Sequence, residues 1–209
     1  MKFTHSNILE KMIKAFFGIG ILATALAIPT PPEPPKVTPE VTVKSEPVEI
    51  PIYKYEATWK CPDCNPNEQY VLAQLQEHTR ITDRNALATI LGNIKSESNF
   101  HPNICEGGAR VPYDKCYSGG YGLIQWTSIG RYNNLGKFAV KYDCDPSTLE
   151  CQTRFMINEN IFQRYLPEFE GSGQTVPQYM VAAYYWLGWG IKGYREQYAY
   201  DYTKKMVLA

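Results

Sequence analysis

Apolar residues recur along this chain at helical spacing, broken by polar and glycine-rich stretches, and the repeats predict about six helices. Val71, Leu72 and Leu75 mark a first helix over about 67–78. Leu87, Ile90, Leu91 and Ile94 stand at i, i+3, i+4 and i+7, one face of a second helix that starts at Thr82 or Asp83 as N-cap and ends at Asn99. Residues 101–126 lack such a period and read as loop with a short hairpin. Thr127 or Ser128 caps a third helix bearing Leu135, Phe138, Ala139 and Tyr142. Ser147-Thr148-Leu149-Glu150 has the form of a capping box and opens a fourth helix toward Tyr165. Thr175 and Pro177 start a fifth, with Tyr179, Ala182, Ala183 and Trp186 inward. A last helix from about Lys192 to Met206 places Tyr194 and Tyr198 inward. The pattern predicts a mainly helical α+β domain in which the loop holding Tyr121 to Trp126 faces the helix end carrying Glu97.

The front of the chain follows a different pattern. Lys2, Lys11 and Lys14 precede a weakly apolar run, Ala15 to Ile28, that ends in Ala25-Leu26-Ala27. This predicts an export segment over residues 1–28: a cleaved signal peptide, a retained signal anchor touching the membrane through residues 15–28, or an arrest-and-release segment. Residues 29–57 are Pro-rich, with prolines at 29, 31, 32, 34, 35, 39, 47 and 51. Such a stretch runs extended as a spacer. Residues 58–209 then form one domain.

Six cysteines fit an oxidising compartment, periplasmic or extracellular. Sequence does not fix their connectivity, but loop closure favours Cys61 with Cys64, Cys105 with Cys116, and Cys144 with Cys151. A zinc site on Cys61 and Cys64 would need further ligands, and the only histidines are His5, His78 and His101. No metal or cofactor is expected. Lys and Arg number 21, as do Asp and Glu, so the formal net charge is zero. Without a basic stripe, nucleic acid is not an expected partner.

The candidate chemistry begins with Glu97. It falls at the rim of the second helix's apolar face and in its last turn, before Phe100-His101-Pro102. Partial desolvation and the negative end of the helix dipole both favour a neutral carboxyl, as required to protonate the leaving oxygen of a glycosidic bond. Helix-end glutamates are ordinarily just solvated; the following segment, Gly119-Gly120-Tyr121-Gly122-Leu123-Ile124-Gln125-Trp126, is what gives Glu97 weight. Its glycines permit tight turns and close approach, Tyr121 and Trp126 offer flat faces to sugar rings, and Gln125 both donates and accepts.

Gly92-Asn93, Glu97-Ser98, Phe100 and Pro102, then Gly120 to Trp126, Arg131, Leu149-Glu150-Cys151-Gln152 and Glu159, together resemble the phage tail lysozyme domain family, over about residues 68–190. That family is related to goose-type lysozymes and soluble lytic transglycosylases. The resemblance implies a small lysozyme-like domain that cleaves peptidoglycan glycan strands, with Glu97 as the catalytic acid, in a phage setting that includes the virus particle as a partner. Tyr184-Tyr185-Trp186-Leu187-Gly188-Trp189 stands where the family would have a Glu-x-Pro ending, a departure that affects substrate contacts on that side. Glu106 and Asp114, in the loop after Glu97, are the positional candidates for a second acid. Three functions fit: a muramidase, a lytic transglycosylase of the same fold, and a non-catalytic glycan-binding or tail-tip module.

Overall fold

The computed structural model describes residues 59–117 and 119–209. They lie within one of the two compact units into which the chain divides, Pro51–Ala209. The export segment and the whole of the Pro-rich linker lie outside the described residues.

Among the described residues there are seven α-helices and one two-stranded antiparallel sheet. Strand β1 (Trp59–Lys60) pairs with β2 (Val207–Leu208), joining the two ends of the described chain. Between them come α1 (Pro66–His78), α2 (Arg84–Ser98), α3 (Ile129–Tyr142), α4 (Leu149–Asn158), α5 (Asn160–Phe169), α6 (Val176–Leu187) and α7 (Arg195–Lys205).

Local chemistry starts most of these helices where the pattern predicts. Asn65 and Glu68 cap α1 reciprocally, at 2.8 and 3.0 Å. The Asp83 carboxylate takes the Asn85 and Ala86 amides at 2.7 and 3.3 Å, satisfying donors that have no carbonyl partner in the first turn of α2. Leu87, Ile90, Leu91 and Ile94 are fully buried, each contributing about 1.5–3 kcal/mol.

Helix α2 packs against α1, α6 and α7. Its approach to α7 requires Gly92: a Cβ there would lie 2.5 Å from the Ala199 nitrogen and 2.7 Å from the Arg195 carbonyl oxygen. The two backbones therefore touch, and α7 is held at a fixed height along α2, so that Arg195 reaches the end of α2.

Three elements differ from the pattern. Ser147 does not cap α4; Thr148 does, accepting from the Cys151 amide at 3.3 Å, while the Ser147 hydroxyl accepts from the Tyr113 amide at 2.9 Å. The single helix predicted toward Tyr165 is two, because Glu159 has extended backbone (φ −68°, ψ 131°) and turns its carboxylate to Arg131. Helix α7 begins at Arg195, so Tyr194 is 72% exposed and the inward residues are Arg195, Ala199 and Tyr202. Tyr142, at the end of α3, is also exposed, stacking over the Arg154 guanidinium at its rim.

Candidate active site

Glu97 sits in the last turn of α2, and the chain beyond it reverses through Asn99 and Phe100, both in left-handed backbone (φ 48° and 61°). Phe100 tolerates this because its ring is fully buried against Tyr202, with centroids 6.3 Å apart, and its carbonyl accepts from the Asn67 side chain at 3.0 Å. The reversal leaves Glu97 at the rim, its side chain 14% exposed.

The glycine-rich segment is brought to Glu97 by two polar anchors. Ser98, next in chain to Glu97, donates its hydroxyl to the Leu123 carbonyl at 2.7 Å. Gln152, fully buried on α4, accepts from the Leu123 amide and donates to the Pro102 and Pro146 carbonyls, each at 2.7 Å. Gly122 (φ 72°) is required here, since a Cβ would meet the Gln152 amide at 2.4 Å. One buried side chain thus fixes both the segment after α2 and the segment ending in Trp126.

Gln125 has left-handed backbone (φ 50°), and its amide donates to the Gly122 and Ile104 carbonyls at 3.0 and 3.3 Å. It lines the same pocket as Glu97, a cavity of about 770 Å³ whose other polar groups are Thr127, Ser128, Arg131 and Arg195. Trp186 to Ile191 supply much of the rest of its wall. Among the described residues, Glu97 is the one carboxylate lining this pocket.

Glu97 carries a partner that the local sequence does not signal. The Arg195 Nη2 donates to its Oε1 at 2.5 Å, and both side chains are largely buried. Arg195 Nη1 donates to the Ile191 and Lys192 carbonyls at 2.8 and 3.0 Å, and its guanidinium stacks 5.4 Å from the Trp189 ring centre. Its Nε has no partner among the described residues. The pattern treats Glu97 as a lone carboxyl at a helix end; the structure makes it half of an ion pair between α2 and α7.

Tyr121 and Trp126 do not offer their faces to a sugar. Both are fully buried. The Tyr121 hydroxyl donates to the Val111 carbonyl at 3.1 Å, and its ring meets Tyr113 and Tyr132 edge-on. Trp126 packs on Phe155 and points its indole N–H to Glu159 at 3.4 Å. The flanking glycines serve to fold these rings inward, not to expose them. Burial and the neighbouring tyrosines push the Tyr132 hydroxyl up to about 12, so this cluster is neutral support beneath the loop.

The two candidate second acids also lie outside the pocket lining. Glu106 is exposed and accepts the Gly120 amide at 2.9 Å, crowding Gly119 so closely that a Cβ there would clash with its carboxylate. Asp114 is exposed and pairs with Lys115 at 3.0 Å. Cysteines pair as Cys61 with Cys64, Cys105 with Cys116, and Cys144 with Cys151. The second of these staples the loop that follows α2.

Among the described residues no group of His, Cys, Asp and Glu could hold a metal ion, and no helix is long and apolar enough to cross a membrane.

The family model for phage tail lysozyme matches residues 66–205, well over half of the chain. No curated protein and no solved structure gives a significant match.

Proposed function

The chain belongs to the phage tail lysozyme family, and from that premise we propose that it is a muramidase in which Glu97 is the general acid. Family membership supports action on peptidoglycan in a phage context. The finer assignment rests on one observation: among the described residues Glu97 is the sole carboxylate lining a pocket that Gln125 and the hydroxyls of Thr127 and Ser128 also line.

In this reading the acting form of Glu97 is the carboxylic acid, hydrogen-bonded to Arg195 through Oε1 and protonated at Oε2, which takes no hydrogen bond from the described residues and gives its proton to the glycosidic oxygen. As the C–O bond between N-acetylmuramic acid and N-acetylglucosamine breaks, the electron pair leaves with that oxygen and an oxocarbenium-like centre develops. Water adds to it, losing a proton to the same carboxylate or to solvent. Gln125, fixed by its own carbonyl contacts, is placed to hold a sugar acetamide or the water. Three disulfides support work outside the reducing cytoplasm, reached through the export segment.

The lone carboxylate also favours a second reading, a lytic transglycosylase, because one glutamate can act first as acid and then as base toward the muramoyl hydroxyl. Mass analysis of products from purified peptidoglycan separates the two. Hydrolysis yields reducing ends one water heavier than the anhydro ends of transglycosylation, and the hydrated product is expected. Anhydro ends would replace muramidase by the second reading, and binding without release would leave a glycan-binding module.

A further inference from the structure

Beside the Glu97 pocket lies a second concavity of about 390 Å³, on the outer face of α6 and the turn that follows it. Tyr185, Trp189 and Gly190 line both, so the two adjoin. Aromatic rings here are exposed, unlike the buried rings of the glycine-rich segment: Tyr184 is 49% and Tyr185 56% accessible. They form a connected surface, with centroids 5.3 Å apart between Tyr184 and Tyr185 and 4.8 Å between Tyr184 and Trp189. Tyr185 is backed by Tyr165, stacked at 5.8 Å, which holds its ring in place. Val181 and Met180 complete the apolar floor, and a Lys192–Glu196 ion pair stands at the rim.

We infer that this ledge is a saccharide subsite, which takes the sugar rings of the glycan strand beyond those held at Glu97. The inference rests on the glycan-cleaving reading above. A strand cut at an internal bond must continue past the cleavage pocket, and the shared lining of Tyr185 and Trp189 gives it a path along this face. Pyranose rings present flat C–H faces that pack on exposed aromatic rings, while their hydroxyl and acetamide groups need polar partners at the edge, as the Lys192–Glu196 rim supplies. A peptide or a lipid surface would not need a run of rings in line with a glycosidase pocket. The same residues explain the departure of Tyr184 to Trp189 from the expected family ending: substrate contact on this side is made by stacking.

Binding of N-acetylglucosamine oligomers to the full chain carrying Glu97→Gln tests the ledge without turnover. Trimer and hexamer affinities are compared by calorimetry, with and without Tyr184→Ala or Val181→Asp, two exposed positions that line the ledge and not the Glu97 pocket. The hexamer is expected to bind more tightly than the trimer, and each second substitution to weaken the hexamer roughly tenfold while leaving the trimer within twofold. Hexamer affinity unchanged in both variants overturns the ledge and leaves the catalytic reading standing. Competition by a sugar-free stem peptide overturns the saccharide assignment. Failure of the parent to bind any oligomer, or peptide-free glycan strands, removes the catalytic reading and the ledge with it.

Discussion

Each of two arginine–glutamate pairs contributes an arginine to the pocket lining, and they are built differently. Arg131 and Glu159 meet through two parallel bonds, Nε to Oε1 at 2.7 Å and Nη2 to Oε2 at 2.6 Å, and the Trp126 indole adds a third donor at 3.4 Å. Both carboxylate oxygens are occupied. Arg195 and Glu97 share a single bond at 2.5 Å; Oε2 of Glu97 and Nε of Arg195 are left without partners among the described residues. A forked pair whose carboxylate is fully satisfied resists change and fixes the α4–α5 break against α3. A pair with unused hydrogen-bonding capacity is where a substrate can add to the network, so on the proposed reading the same two residue types serve as framework on one side and as chemistry on the other.

The largest effect that tests this contrast is on catalysis. Glu97→Gln keeps the shape and loses the transferable proton, so peptidoglycan clearing is expected to fall about 10²- to 10⁴-fold, with a smaller fall in melting temperature than Glu159→Gln because one bond to Arg195 is weakened rather than a fork. Residual activity above about a tenth of the parent would mean that Glu97 is not the acid.

The framework pair should show the reverse. Glu159→Gln leaves the Arg131 charge without its carboxylate and Trp126 with a weaker acceptor. Breaking a buried pair costs about 3–5 kcal/mol; because Arg131 lines an open pocket, about 2–3 kcal/mol is expected, a fall in melting temperature of roughly 5–10 °C. Thermal unfolding followed by circular dichroism measures it. A stable Glu159→Gln protein that has lost activity would move Glu159 from framework to chemistry.

How much of this contrast is legible in the sequence depends on how local its causes are. The stripes of α1, α2 and α6, and the caps at Asp83 and Thr175, are local, and periodicity with capping chemistry finds them. Glu97 and Gln125 come together in one pocket as their motifs suggest, because Ser98 and Gln152 bind the two segments to each other. The break at Glu159 is not local: helical propensity continues through it, and what wins is an ion pair to a residue 28 positions earlier. Tyr121 and Trp126 mislead for a related reason. Glycines beside aromatics are equally compatible with exposure or with tight inward folding, and only the tyrosine cluster and Phe155 decide. Arg195 is 98 residues from Glu97, on a helix whose start the pattern places too early, and nothing around it marks a partner for a carboxylate.

The smallest expected effect concerns that arginine and discriminates most sharply between the two kinds of pair. Arg195 touches Glu97 and two carbonyls of the turn that forms the pocket wall, so it sets the carboxyl's orientation and ties it to the wall. Arg195→Gln retains a donor of shorter reach and removes the charge. If Arg195 positions Glu97, turnover falls about 10- to 10²-fold while the Michaelis constant for a soluble glycan changes little, because a misplaced catalytic group affects the reacting geometry more than the binding of the strand. Arg195→Lys keeps the charge but cannot bond the carboxylate and both carbonyls in the same planar fork, so only part of the loss should return. Turnover unchanged in Arg195→Gln, with a fall in melting temperature like that of Glu159→Gln, would make both pairs framework. Full recovery in Arg195→Lys would show that charge alone matters and that the fork to the pocket wall does not orient Glu97.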